Sequence, residues 1–176
     1  MTCERAPRAA SARATHPTTG AERVSNPVPV MSAAEVQDYL AEVFPQIQSK
    51  HETAFAVRSV SPGRCTIVMH AGERHLRPGG TVSGPALFTL ADVAAYACTL
   101  AHVGRRALSV TTNLNINFMR KAGPGEVEAR TRLLKLGRRL AVFDIEMLAA
   151  GAIVAHATAT YSIPDRGDAA VATASA

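Results

Sequence analysis

The chain has 176 residues, 47% of them hydrophobic and 19% charged, which argues against a disordered polyelectrolyte and fits one domain with a sizeable core. Its formal net charge is +5, but with no tryptophan and no nucleic-acid-binding motif this points to a small anionic ligand rather than to DNA or RNA. Three cysteines without a CxxC spacing argue against a disulfide framework and for a reducing, cytoplasmic setting, and six scattered histidines predict no metal site.

Residues 1–30 are rich in Ala, Arg, Pro, Ser and Thr without an apolar period, which predicts a disordered N-terminal extension. A folded domain over 31–164 follows, then a flexible tail over 165–176. The domain opens on a capping box, Ser32-Ala-Ala-Glu35, ahead of Val36, Tyr39, Leu40, Val43 and Phe44 at helical spacing; Pro45 ends this short helix. Strands are predicted at 53–60 and 64–71, separated by Ser61-Pro62-Gly63. The loop HLRPGGTVSGP then leads into an apolar helix at 85–102.

That helix lies in SGPALFTLADVAAYACTLA, where Asp92 is the only charge. The segment 82–101 is long enough to span a bilayer, but a central Asp opposes insertion by about 2.5–3.5 kcal/mol, so a core helix and no membrane are expected. Leu87, Leu90, Ala91, Ala94, Ala97, Cys98 and Ala101 share one face; Asp92 lies on the other with Phe88, Thr89, Tyr96 and Thr99. Burying an unpaired carboxylate is costly, so Asp92 needs solvent, a hydrogen-bond partner or a task. Ser83 is well placed as N-cap before Pro85 and is in addition a candidate for a polar contact to substrate, and the Gly84 N–H sits where a helix start favours negative charge.

The rest reads as four strands: 109–118, with Asn113, Asn115 and Asn117 alternating against Leu114, Ile116 and Phe118, then 126–136, 139–148 and 152–163. In this alternation Thr111 falls on the polar face with the asparagines, which reads as a solvent or subunit-interface face. Short turns between long strands favour antiparallel pairing. The predicted class is α+β, an antiparallel sheet wrapped around a long central helix.

These residues resemble a known family. LFTLAD in the helix, NINFMRKAGPGE after it and the GRR…FDIE hairpin are similar to the hotdog fold, and more narrowly to the PaaI-like (phenylacetate-degradation type) acyl-CoA thioesterases, over about 33–164. The resemblance implies a homodimer or a dimer of dimers with its active site between subunits. It also implies hydrolysis of an acyl-CoA thioester to free acid and CoA, with CoA as part of the substrate and no separate cofactor. Asp92 falls at the family's catalytic carboxylate, to act as general base or as nucleophile. The Gly84 N–H would polarise the thioester carbonyl, with Asp92 facing the amides at the start of its own helix. Thr111 matches a position where relatives often carry Ser, which makes it a candidate to orient water or to hold Asp92 across the cleft, with an ordinary strand threonine as the alternative. Arg138 and Arg139, and less directly Arg77 and Arg120-Lys121, are the expected contacts for the CoA phosphates.

The chain departs from the family at Ser83-Gly84-Pro85, where relatives commonly carry His-Gly-Gly, and at Arg77, where they carry Asn. An acyl-CoA-binding hotdog protein without catalysis is therefore the alternative reading.

Overall fold

The computed structural model describes residues 26–47 and 55–165. Residues 1–25 of the expected 1–30 extension, the first two residues of the 53–60 strand and the tail beyond 165 lie outside the described residues. The capping box forms as read: Ser32 Oγ accepts from the Glu35 N–H at 3.3 Å, and the Glu35 carboxylate accepts from the Ser32 N–H at 2.7 Å. It starts α1 (Ala33–Val43), which buries Val36, Tyr39 and Leu40. The end of the stretch read as an extension is held on the fold: the Val30 N–H, with that of Met31 at the start of the domain, donates to the Ala101 carbonyl near the end of the central helix.

β1 (Phe55–Ser61) and β2 (Arg64–Ala71) turn back at Pro62-Gly63. Gly63 has φ +67°, and a Cβ there would lie 3.0 Å from the Asn26 side chain, so conformation and space both demand glycine. Within the Pro/Gly-rich loop a small hairpin was missed, β3 (Leu76–Arg77) with β4 (Thr81–Val82); two-residue strands carry no readable period. Then come α2 (Gly84–Val103), β5 (Val110–Phe118), β6 (Gly125–Leu136), β7 (Leu140–Ala149) and β8 (Ala152–Ser162).

The six long strands form one antiparallel sheet in the order β1-β2-β6-β7-β8-β5, with α2 against its inner face. Phe143, Ile145 and Met147 of β7 and Ala155, Ala157 and Ala159 of β8 are buried there. They face a helix whose own dry side is mostly alanine; small residues on both surfaces let helix and sheet approach closely. This is the hotdog arrangement that the resemblance implies. By length and composition α2 could cross a membrane, but most of it is buried inside the fold. Tyr96 and Thr99, expected beside Asp92 on a polar side, are buried: the Tyr96 hydroxyl donates to the Ala107 carbonyl at 2.8 Å and Thr99 Oγ1 to the Ala95 carbonyl at 2.9 Å. Phe44, just past α1, meets the Tyr96 ring edge-on at 6.4 Å, so the second half of α2 is covered all round.

The two edges of the sheet are treated differently. At β1, the Gln37 side-chain amide stands in for a strand: its Oε1 accepts from the Val57 N–H at 2.7 Å and its Nε2 donates to the Phe55 carbonyl at 3.4 Å. At β5, no strand pairs with the outer side among the described residues.

On the outer face of the sheet, Asp144 accepts from Arg132 at 3.0 Å and from His156 Nε2 at 2.7 Å. Burial pushes the Asp144 carboxyl up, but the bonds from His156 and Arg132 more than offset this and hold it below the usual range. A carboxyl lowered by folding adds stability that is present above its unfolded range and is lost as pH falls through the folded one. Asp144→Asn should therefore be less stable than wild type near neutral pH, with the difference closing as the medium is taken below about pH 4. Urea midpoints at a series of pH values measure this; a constant difference across the series would contradict it.

Candidate active site

Ser83 sits in extended backbone (φ −75°, ψ 153°), and its Oγ accepts from the Ala86 N–H at 3.3 Å, the N-cap role read from sequence. Every donor at the start of α2 can be followed. The Ser83 N–H donates to the His75 carbonyl, Pro85 has none, Ala86 goes to Ser83 Oγ, and the Leu87 N–H makes the first helical bond to the Ser83 carbonyl. Only the Gly84 N–H has no acceptor among the described residues, and the helix dipole adds to its pull on negative charge. Glycine suits the position because a helical residue directly before a proline is crowded at its Cβ. A Cβ at Gly84 would also lie 3.3 Å from the tip of the Phe118 ring.

A cavity of about 360 Å³ opens beside Gly84. Val82, Leu87, Phe118 and Met119 supply its apolar lining, and Arg77, Arg120 and Lys121 supply cations. Arg138 and Arg139 lie elsewhere, in the β6–β7 turn. Arg138 lines a second cavity of about 510 Å³ with His102 and Arg106, and Arg139 pairs with Asp165 at 3.2 Å. α2 spans about 30 Å between these two ends. Of the five expected phosphate contacts, a single chain brings Arg77, Arg120 and Lys121 close to Gly84, and not Arg138 or Arg139.

Asp92 lies two turns into α2 and is half-buried. Thr111 Oγ1 donates to its Oδ1 at 2.5 Å and the Tyr161 hydroxyl reaches the same Oδ1 at 2.6 Å. Oδ2 takes no hydrogen bond, and no Lys, Arg or His pairs with the carboxylate, among the described residues. The partner that the sequence demanded is thus a pair of hydroxyls, and half the carboxylate is left for chemistry. Strand parity would put Thr111 on the outer face with Asn113. A register shift between Thr111 and Asn113 instead sets Thr111 opposite Tyr161 on the inner face, as bulges do beside functional groups. Tyr161 was missed from sequence. Its signal was a tyrosine at an inward position of β8, because a buried phenol needs a polar partner. Burial, and after it the negative charge of Asp92, push the Tyr161 phenol upward, so it stays a donor.

One expectation is corrected by helix geometry. Gly84 and Asp92 are eight residues apart, about 12 Å along the axis at 1.5 Å per residue. The acid therefore does not face the first amides of its own helix. The buried thiols do not compete as nucleophiles: burial pushes Cys65 up to about 12, and Cys98 well above its usual value.

A sequence profile of the thioesterase superfamily matches residues 79–156. A Pseudomonas aeruginosa protein named as an esterase is 30% identical over 112 residues, which cover 62% of this chain and 83% of that one. A crystal structure named as a thioesterase, from a Silicibacter species, superposes with a TM-score of 0.71 at 50% identity, over 79% of this chain and 96% of that one. A mutant of the phenylacetic acid degradation protein PaaI from Thermus thermophilus gives a TM-score of 0.56 at 28% identity, over 63% and 94% of the two chains.

The capping role of Ser83 is separable from any contact with a ligand. Ser83→Ala should lower stability by about 1 kcal/mol while Ser83→Asn, which caps as well, should restore it. Thermal unfolding without ligand measures both; equal midpoints for the alanine and wild-type proteins would remove the cap assignment.

Proposed function

Given a chain that belongs to the thioesterase superfamily and has its hotdog fold, we propose that it hydrolyses an acyl-CoA thioester to a free acid and CoA, with Asp92 as the reacting carboxylate. The observation that carries this reading is the unequal state of the Asp92 oxygens: among the described residues Oδ1 holds two hydroxyls and Oδ2 holds none. Two routes use that oxygen. As general base, Oδ2 takes a proton from water while the water oxygen attacks the carbonyl carbon; the tetrahedral oxyanion collapses, the C–S bond breaks, and the CoA sulfur receives the proton from Asp92. As nucleophile, Oδ2 attacks the carbonyl carbon itself, CoA leaves as thiolate, and water then hydrolyses the mixed anhydride. In both, the unassigned Gly84 N–H meets the developing oxyanion.

Because acid and donor are too far apart in one chain, the reading requires a homodimer. The open β5 edge suits one. Thr111 on β5 touches Asp92, and Phe118 near the other end of the same strand touches Gly84. Antiparallel pairing of β5 with its copy about the strand's middle would set Thr111 level with the partner subunit's Phe118, and so Asp92 of one chain with the partner's Gly84. Phe88, Val110 and Phe118, each more than 40% exposed in the single chain, would be covered at such a seam. Arg77, Arg120 and Lys121 beside Gly84 are the cations best placed for an anionic part of the substrate. The buried free thiols suit the reducing cytoplasm.

The non-catalytic, acyl-CoA-binding alternative draws on Ser83. Its hydroxyl is engaged as a cap and does not replace the side chain of a motif histidine.

A panel of short, medium and aromatic acyl-CoAs assayed for CoA release tests the proposal. Turnover should fall at least about 100-fold in Asp92→Asn. The Gly84→Pro, Pro85→Ala double variant moves the proline by one position and removes the Gly84 donor; it should lose about 100-fold in kcat or more. Tight binding of an acyl-CoA with no turnover would select the binding protein instead.

A further inference from the structure

Tyr161 is buried, with 2% of its surface exposed, and no substrate can touch it. Its ring is stacked on Tyr96 at 6.2 Å with the planes 24° apart, and it meets Phe143 edge-on at 6.2 Å. Tyr96 is itself anchored through its hydroxyl to the Ala107 carbonyl. The position of the Tyr161 hydroxyl is thus set by packing rather than by Asp92.

That hydroxyl lies between two acceptors of one residue: Asp92 Oδ1 at 2.6 Å and the Asp92 main-chain carbonyl at 3.0 Å. A phenol spanning both fixes the side-chain torsions of the acid relative to its own backbone. Thr111, opposite Tyr161 across the β5–β8 ladder, adds a second donor to Oδ1 at 2.5 Å. A carboxylate free to rotate would exchange its oxygens, and a reacting oxygen misplaced by about 1 Å can lose about 100-fold in rate.

We propose that Tyr161 is a positioning residue: with Thr111 it anchors Oδ1 and fixes the rotation of the Asp92 carboxylate, so that Oδ2 alone meets the water or the thioester carbon. The inference rests on the catalytic reading of Asp92 given above.

Tyr161→Phe tests it, because the ring and its two aromatic contacts are kept and only the hydroxyl is lost. Steady-state hydrolysis should show kcat reduced about ten- to a hundred-fold with KM within about twofold of wild type. The thermal midpoint should be little changed. Thr111→Ser should stay near the wild-type rate and Thr111→Val should fall. The Tyr161→Phe, Thr111→Val pair should lose more than the product of the single losses, since the carboxylate then has no anchor. Wild-type kcat in Tyr161→Phe beside an inactive Asp92→Ala would overturn the positioning role alone. Wild-type kcat in Asp92→Ala would overturn the catalytic reading beneath it. A fall in kcat matched by loss of folded protein, with Thr111→Val unaffected, would also overturn the positioning role.

Discussion

Two hydroxyls on one carboxylate oxygen hold the centre of this molecule together. Asp92 sits half-buried on a helix whose other side is packed dry, and an acid in such a place must be solvated by the protein. Thr111 and Tyr161 do this from adjacent strands, which ties α2 to β5 and β8 through a polar contact within an otherwise apolar interface. Because both donors go to Oδ1, the carboxylate is stabilised without being used up. A cation in their place would have neutralised the acid; hydroxyls leave its charge available.

The same economy shows at the ends of α2 and at the edges of the sheet. At the helix start, a cap, a proline and the first helical bond account, among the described residues, for every donor but that of Gly84. At the β1 edge a glutamine side chain covers polar groups of the strand, whereas no described strand pairs with the outer side of β5. Among the described residues, an amide, a carboxylate oxygen and a strand edge without partners thus lie along one side of the fold. The distance of two helical turns between the first two is what gives the third its proposed use.

Much of this architecture was legible in the residues because local chemistry and global packing agree. The capping box, the apolar stripe of α2 and the turns at Pro62-Gly63 and around Gly151 mark elements within one or two residues of where they stand. Asp92 stood out as a charge in an alanine-rich helix. Three features were not legible, for physical reasons. The two-residue hairpin is too short to show a period. The register shift after Thr111 is a property of the pairing between β5 and β8, which the residues of β5 alone cannot reveal; alternation set Thr111 with the asparagines, and only the resemblance pointed it toward Asp92. The role of Tyr161 depends on a contact 69 residues away in the chain, where only the need of a buried phenol for a partner gave a hint. Arg138 and Arg139 looked like substrate contacts as a basic pair in a turn, and only the fold shows that α2 separates them from Gly84.

In the proposed mechanism, catalysis joins Asp92 of one subunit to the Gly84 N–H of its partner. Subunit complementation tests it most directly: Asp92→Ala protein and Gly84→Pro, Pro85→Ala protein, each inactive alone, are unfolded together, refolded and assayed for CoA release. If acid and donor come from different chains, half of the dimers are mixed and each has one intact site, so about a quarter of the wild-type activity should return. No recovered activity in a mixture shown to contain mixed dimers would place both groups in the same chain and contradict a site shared between subunits.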